Sequence, residues 1–255
     1  MSPAAQELII RQFSPLPMPD SSSFPEDAVL QVPPFAESCR SHAAEAWGAS
    51  FDHPFVQALA DGTLSPEKFR FYQMQDARYL EAFADACSII STRIDDPTTK
   101  LWFIDAARLA IVVEQQLHHG YGERLGYTEK DIRALELTPN NRAYRDHMIS
   151  CATRGSLVEA IAAVAPCPWL YTALGGHLAS TMGTIPDDHP YAEWLRTYAD
   201  PGFVTYTNEL LAILENAATQ RGEILLEQAR MAFAVSTRYE WMFWDQAWTE
   251  QTWPA

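Results

Sequence analysis

Apolar residues recur every three or four positions through most of the chain after residue 35, and this spacing is typical of amphipathic helices. The clearest segment, LSPEKFRFYQMQDARYLEAFADACSIISTRI, places Ser65 as an N-cap and Pro66 as the first helical residue. The segment PTTKLWFIDAARLAIVVEQQLHHGYGERLG ends at Gly126, a residue type that commonly stops helices. Helices of about 28 residues are about 42 Å long, and several of them side by side form a bundle. We therefore predict an all-α fold.

Further helices are predicted along the second half of the chain. The segment GSLVEAIAAVAPCPWLYTALGGHLAST opens with Ser156 and Glu159 in capping-box spacing. Other helices are expected around NNRAYRDHMISCATRG, HPYAEWLRTY, GFVTYTNELLAILENAA and EILLEQARMAFAVSTRYEWMFWDQAW. Because the period-two alternation of strands is not found, no strand is predicted. Residues 1–35 are rich in proline and are expected to form a surface arm, with one helical domain over residues 36–255.

The charge and the cysteines narrow the classes of function. With 18 basic and 33 acidic residues the formal charge is −15, which argues against binding to nucleic acid or to anionic lipid. The N-terminus lacks the pattern of an export signal, and no later window is expected to be apolar for long enough to cross a membrane. Four cysteines without a CxxC pair favour free thiols in a reducing compartment, and we expect a cytoplasmic protein.

Cys167 stands between two prolines inside an apolar helical segment, AVAPCPWLYTALGG. Each proline inside a helix lowers the stability of the helix by about 3 kcal/mol, so the presence of two prolines here needs an explanation. One interpretation is a small buried hydrophobe at a kink. The other places Pro168 at the first position of a new helix, where unpaired N–H groups and the helix dipole would favour an exposed thiolate. Cys167 is therefore a candidate nucleophile.

Two acidic residues lie among aromatic neighbours. Glu240 stands in STRYEWMFWDQAW, where an outward-facing side chain is favoured by this window alone, but an inward one would have a raised pKa and suit acid–base catalysis. Asp76 shares one helix side with Tyr79 and Phe83, and a carboxylate on that apolar side is costly unless it is paired or used. It would suit a flat heterocycle that carries an amino group. Three other tyrosines are weaker candidates for the same lining: Tyr144, Tyr171 and Tyr198.

Metal and haem sites are weighed as alternatives. Glu114 and His118 are four residues apart, but the chain contains no Glu-x-x-His motif of the kind that di-iron bundles use, so a helix-stabilising pair is favoured and no metal is predicted. His42, early in the first helix, is where a helical haem protein would hold its iron, although a lone histidine on a surface helix usually has no such role.

Five ordered motifs, QDARYL, NNRAYRDHM, APCPWLYTALG, EWLRTYA and YEWMFWDQAW, resemble the TenA family, also called thiaminase II or aminopyrimidine aminohydrolase. The resemblance covers about residues 36–250 and implies a haem-oxygenase-like helical bundle without haem or other cofactor, commonly assembled as a homotetramer. It implies hydrolysis of thiamine, or of 4-amino-5-aminomethyl-2-methylpyrimidine with release of ammonia, for thiamine salvage. The subgroup that contains the cysteine is the one implied.

The resemblance also implies roles for individual residues. Cys167 would be the nucleophile, Glu240 the acid and base, and Asp76 the anchor of the aminopyrimidine. The pocket would be lined by Tyr79, Tyr144, Tyr171 and Tyr198, with Tyr191 as an alternative to Tyr198. Two other functions stay open from the residues: a haem-binding or redox protein with His42 as the ligand, and a non-catalytic interaction protein.

Overall fold

The computed structural model describes residues 28–254, apart from the side chains of residues 113–119. Within residues 28–254 every regular element is a helix, as predicted. The helices are α1 (Pro34–His42), α2 (Ala44–Phe51), α3 (Pro54–Ala60), α4 (Pro66–Thr92), α5 (Pro97–Leu125), α6 (Glu129–Ala134), α7 (Pro139–Arg154), α8 (Leu157–Val164), α9 (Pro166–Met182), α10 (Ala192–Tyr198), α11 (Pro201–Ala218) and α12 (Glu223–Thr249).

The predicted helix ends are confirmed where the local chemistry is strong. The Ser65 hydroxyl accepts a hydrogen bond from the Lys68 N–H at the start of α4. Ser156 and Glu159 form the reciprocal capping box of α8. Gly126 follows α5 with φ 69° and ψ 43°, the left-handed conformation that glycine adopts without steric cost. These ends depend on neighbours within a few residues, which is why the sequence alone predicts them.

The start of α9 differs from the prediction. The helix begins at Pro166, two residues before the predicted Pro168, and Ala165 is its N-cap. The Trp169 N–H donates to the Ala165 carbonyl at 3.3 Å, which closes the first turn. Proline is accepted at this first position because its missing N–H would have no partner within the helix. Cys167 is therefore the second residue of α9, inside its first turn.

Two helices form the centre of the bundle. The last helix, α12, packs against α1, α2, α3, α4, α7, α8 and α9. Helix α4 packs against α5 on one side and against α7 and α8 on the other. Large aromatic side chains fill the interior between them, and Trp169, Trp194 and Trp244 are all completely buried. Side chains on the inner faces of α4 and α12 are thus brought together from opposite ends of the sequence.

The membrane expectation needs a correction. The segment Leu157–Met182, which comprises α8 and α9, is long and apolar enough by composition to cross a membrane. Its most apolar window has a mean hydropathy of 1.5. The prediction that no window has this composition is therefore wrong. However, 78% of that window is buried inside the protein, as in the core helix of a soluble domain.

Part of the proline-rich arm is described. Residues 1–27 lie outside the described residues, and α1 begins at Pro34, within the predicted arm. The segment before α1 lies along α11: the Gln31 N–H donates to Asn208 Oδ1 at 2.7 Å, and Asn208 Nδ2 donates to the Val29 carbonyl at 2.9 Å. The Phe35 N–H donates to Glu215 Oε2 at 2.7 Å. Residues 29–35 are therefore attached to the bundle.

Candidate active site

Four helices carry the five side chains at the centre of the candidate site. Helix α4 carries Asp76 and Tyr79, α7 carries Tyr144, α9 carries Cys167 and α12 carries Glu240. We call these five residues the titratable cluster. The charge of Glu240 affects the ionisation of the Cys167 thiol and of both tyrosines, so the groups lie within electrostatic range of one another. Tyr171 on α9 and Tyr198 on α10 adjoin the cluster.

Glu240 faces inward and is only 2% exposed, contrary to what its own sequence window favours. The Tyr144 hydroxyl donates a hydrogen bond to Glu240 Oε1 at 2.6 Å. Burial raises the pKa of the Glu240 carboxyl to about 8; the Tyr144 hydrogen bond opposes this shift and the charge of Asp76 adds to it. Glu240 is therefore protonated for the most part at pH 7 and can give up its proton within the physiological range.

Cys167 is partly exposed, whereas Tyr79, Tyr144 and Glu240 around it are buried. Burial raises the pKa of the Cys167 thiol well above its ordinary value, with a further rise from Glu240 and an opposing effect of the nearby Tyr79 hydroxyl. A helix N-terminus is worth about 0.3–1 kcal/mol, too little to offset burial beside two acids. The raised pKa contradicts the prediction that the helix start favours a thiolate, whereas the side chain is partly exposed, in line with the other part of that prediction.

Asp76 is also on the inner side of its helix and is 7% exposed. Its charge raises the pKa of Cys167, Glu240 and Tyr198, which come from three other helices. The carboxyl group therefore shares the interior with the thiol and with the second acid. Burial beside the charge of Asp76 favours the neutral forms of Cys167 and Glu240.

Aromatic rings enclose the cluster. Tyr79 and Tyr144 have ring centroids 4.8 Å apart, and the Tyr79 hydroxyl donates to Met148 Sδ at 3.5 Å. The rings of Tyr171 and Tyr198 are 4.7 Å apart. At these separations the rings of each pair are in direct contact, so the tyrosines form two packed aromatic pairs beside the thiol and the acids.

The structure distinguishes between the two tyrosines considered for the same wall. Tyr198 packs against Tyr171 and Trp194, and its pKa is raised by burial and by the charges of Asp76, Cys167 and Glu240. Tyr191 instead donates its hydroxyl to the Leu64 carbonyl at 2.5 Å and packs on Phe69, outside the cluster. Tyr198 is the one that adjoins the candidate site.

Two neighbours of the site have no role assigned from the sequence, although Tyr72 stands one turn before Asp76 on the same side of the predicted helix. The Tyr72 hydroxyl lies 2.9 Å from that of Tyr171, which holds the Tyr171 phenol in place. Phe203, in the first turn of α11, is partly exposed and packs on Tyr198 at 5.2 Å. The helical spacing of Tyr72 and Asp76 could have indicated the first of these, but no local pattern indicates Phe203.

The metal and haem alternatives find little support in the described residues. His42 is exposed at the end of α1 and lies in a surface groove beside Arg238 and Trp241, outside the titratable cluster. The side chains of Glu114 and His118 lie outside the described residues. Among the residues that are described, no three His, Cys, Asp or Glu side chains are grouped as metal ligands.

A second buried polar group lies beside the cluster, and we call it the amide network: Gln75, Thr138, Asn141 and Gln246. Asn141 Nδ2 donates to Gln75 Oε1 at 2.7 Å and to the Gln75 carbonyl at 2.8 Å. The Thr138 hydroxyl donates to Gln246 Oε1 and accepts from the Asn141 N–H. The network consists of neutral groups and ties α4, α7 and α12 together.

Comparison with known proteins identifies the class. The TENA/THI-4/PQQC family matches residues 40–250. An aminopyrimidine aminohydrolase of Halalkalibacterium halodurans is 35% identical over 222 residues, which are 86% of this chain and 97% of that protein. A solved TenA homologue from P. horikoshii has a TM-score of 0.77 at 28% identity, covering 87% of this chain and 99% of its own. The chain belongs to the TENA/THI-4/PQQC family, and the predicted TenA resemblance is confirmed.

The fold prediction is confirmed at the same level. A domain from Shewanella denitrificans with a haem-oxygenase-like fold has a TM-score of 0.64 at 12% identity and covers 84% of this chain and 92% of its own. At that identity the likeness concerns the fold alone. An aminopyrimidine aminohydrolase of Bacillus subtilis, 33% identical over 219 residues, covers 86% of this chain and 92% of that protein. The predicted class of enzyme is thus the class of its relatives.

Proposed function

We propose that this protein hydrolyses 4-amino-5-aminomethyl-2-methylpyrimidine to the corresponding hydroxymethyl pyrimidine and ammonia, and that it cleaves thiamine by the same route. The names of the relatives support an aminopyrimidine substrate. The observation that carries the proposal is the meeting of a thiol and two acids from three distant segments inside a ring of tyrosines. In a cytoplasmic protein this reaction would serve thiamine salvage.

Asp76 anchors the pyrimidine in this proposal. Its carboxylate accepts a hydrogen bond from the 4-amino group, and a buried acceptor of this kind discriminates against analogues that lack the amine. Tyr79, Tyr144, Tyr171 and Tyr198 provide the flat walls. Because the walls fix the plane of the ring, they bring one ring carbon towards the Cys167 sulfur.

Cys167 starts the reaction by adding to the unsubstituted ring carbon that is next to the one bearing the aminomethyl group. The sulfur–carbon bond forms and the thiol proton passes to the adjacent ring nitrogen, so no free thiolate has to persist in the buried site. The 4-amino nitrogen then donates its electron pair into the ring, and the bond to the aminomethyl nitrogen breaks. Glu240, protonated near neutral pH, supplies the proton with which ammonia leaves.

Glu240 then acts as the base. Its carboxylate takes a proton from water as the oxygen adds to the exocyclic methylene carbon. The ring nitrogen loses its proton, the sulfur–carbon bond breaks and Cys167 recovers its thiol. A carboxyl with a pKa of about 8 suits both steps, because it can hold either protonation state at the working pH. The thiol, the carboxyls and the phenols provide the groups that each step needs, so we propose that the reaction uses no cofactor. We also propose that the protein is a homo-oligomer, and a homotetramer as the resemblance implies.

Ammonia release by the purified protein tests the proposal. Cys167→Ser should lower kcat/KM for the aminomethyl pyrimidine by about 1,000-fold or more while the melting temperature stays near that of the wild type. Cys151→Ser is the matched control, since Cys151 packs in a separate small cluster with Ala163 and Ala232 and should keep full activity. Turnover by Cys167→Ser at the wild-type rate would exclude covalent catalysis.

The same assay compares substrates. Ammonia release from the aminomethyl pyrimidine and pyrimidine release from thiamine are measured at equal concentration. Salvage predicts the higher kcat/KM for the aminomethyl compound, and no turnover of either compound by the wild type would refute the proposed function.

A further inference from the structure

Gly175 lies in the middle of α9, one turn beyond Tyr171 and two turns beyond Cys167. Glycine is disfavoured inside a helix relative to alanine, so its presence at a buried position needs a physical reason. The chain has a second glycine next to it, Gly176, which is exposed. The surroundings of the two glycines differ completely.

The reason lies in a very close approach by α10. A Cβ placed on Gly175 would lie 2.3 Å from the Tyr198 carbonyl oxygen, 2.5 Å from the Tyr198 carbonyl carbon and 2.9 Å from the Ala199 nitrogen. All three are backbone atoms, which cannot turn aside as the end of a long side chain can. A Cβ placed on Gly176 meets nothing within 4 Å. Of these two neighbouring glycines, Gly175 is the one whose surroundings leave no room for a side chain.

Helix α10 is held near its start and again in its last turn. The Trp194 N–H donates to the Tyr121 hydroxyl at 3.1 Å, and Arg196 bonds Asp187 and the Ile185 carbonyl. A methyl group at position 175 therefore displaces the last residue of α10, which is Tyr198, rather than the whole helix.

We infer that Gly175 is a positioning residue: its missing side chain lets the end of α10 press against α9 and so sets the Tyr198 ring as one wall of the site. The Tyr198 ring packs on Tyr171 and Phe203, and the charges of Asp76, Cys167 and Glu240 reach it. This inference rests on the proposed function, because it assigns Tyr198 to the binding of the pyrimidine ring.

The test compares Gly175→Ala with the matched control Gly176→Ala in the ammonia-release assay. A shift of about 1 Å in a positioning group can cost about 100-fold, so Gly175→Ala should lower kcat/KM by about 10- to 100-fold. The loss should appear mainly as a higher KM, since a wall of the pocket binds substrate and transition state alike. Gly176→Ala should match the wild type. Equal kinetics for Gly175→Ala and the wild type would overturn the inference.

A double-mutant cycle separates positioning from a general loss of stability. In the Tyr198→Ala background there is no ring to misplace, so adding Gly175→Ala should change kcat/KM by less than about twofold. The melting temperature should still fall when Gly175→Ala is added, because the backbone clash is still present. Additive losses of activity would contradict the inference. If Gly175→Ala is not recovered folded, Tyr198→Ala alone decides, because unchanged kinetics would leave nothing for Gly175 to position.

Crystallography gives a readout that does not need turnover. In Gly175→Ala the Tyr198 backbone should lie farther from α9 than in the wild type, and an unmoved Tyr198 would overturn the inference. If neither the wild type nor Gly176→Ala releases ammonia, the proposed function fails, and the position of Tyr198 still decides the inference.

Discussion

The amide network and the titratable cluster are adjacent, since Gln75 and Asp76 are consecutive residues of α4, yet they differ in kind. Gln75 is completely buried; its Oε1 accepts a hydrogen bond from Asn141, and its Nε2 donates one to the Glu136 carbonyl. Asp76 faces other titratable groups, and its charge raises the pKa values of Glu240 and Cys167. Neutral partners stabilise a bundle, whereas acids that oppose one another are costly to bury. The network ties helices together, and the difference in chemistry is the reason why we propose the catalytic role for the cluster and not for the network.

The largest expected effect is on the activity of the cluster. Glu240→Gln keeps an oxygen to accept the Tyr144 hydrogen bond but removes the proton that must be given and taken. We expect kcat/KM for ammonia release to fall by about 100- to 10,000-fold, the usual contribution of a general acid and base. A fall of less than tenfold would contradict the assigned role.

Although Glu240→Gln should lower the activity, it should raise the stability relative to the wild type as the pH increases. The pKa of Glu240 is about 8 in the folded protein, above its ordinary value of 4.5, so this group's contribution to stability is complete below pH 4.5 and is lost as the pH rises to about 8. The wild type should therefore lose up to about 1.4 kcal/mol per pH unit relative to Glu240→Gln over this range. Urea unfolding of both proteins at pH 5, 7 and 9 measures the difference, which should be absent if Glu240 is solvated.

A substitution in the amide network should lower the stability more than the activity. Asn141→Ala removes one donor from each of the two Gln75 oxygens and leaves Gln75 Oε1 with only the 3.4 Å bond from the Thr138 N–H, so we expect the free energy of unfolding to fall by about 1–3 kcal/mol while kcat of the folded protein changes little. Asn216→Ala, on the exposed side of α11, is the matched control and should change stability by less than about 0.5 kcal/mol. A large fall in kcat with an unchanged free energy of unfolding would contradict the distinction between the two regions.

The smallest expected effect concerns the link between Tyr144 and Glu240. The Tyr144 hydrogen bond lowers the pKa of Glu240, so Tyr144→Phe should move that pKa upward and shift the basic limb of the kcat/KM profile to higher pH. Tyr191→Phe is the control, because its hydroxyl bonds Leu64 outside the cluster and its loss should leave the profile in place. A shift to lower pH would contradict the assignment of this limb to Glu240.

Part of the site could be predicted and part could not. The five motifs pointed to Cys167, Glu240 and Asp76, and the structure brings these three side chains into one interior. The inward direction of Glu240 did not follow from its own window, because that depends on which helices cover α12. The ionisation of Cys167 was misjudged because the position in the helix is local but the desolvation is not.

The sequence by itself determined the helices and their ends, since Ser65, Gly126 and the Ser156–Glu159 pair act on backbone groups within a few residues. It also carried the family resemblance. Only the tertiary structure decided which acid is buried, which tyrosine adjoins the thiol and why Gly175 can have no side chain. The physical reason is that desolvation and close backbone approach are properties of neighbours that come from distant parts of the chain.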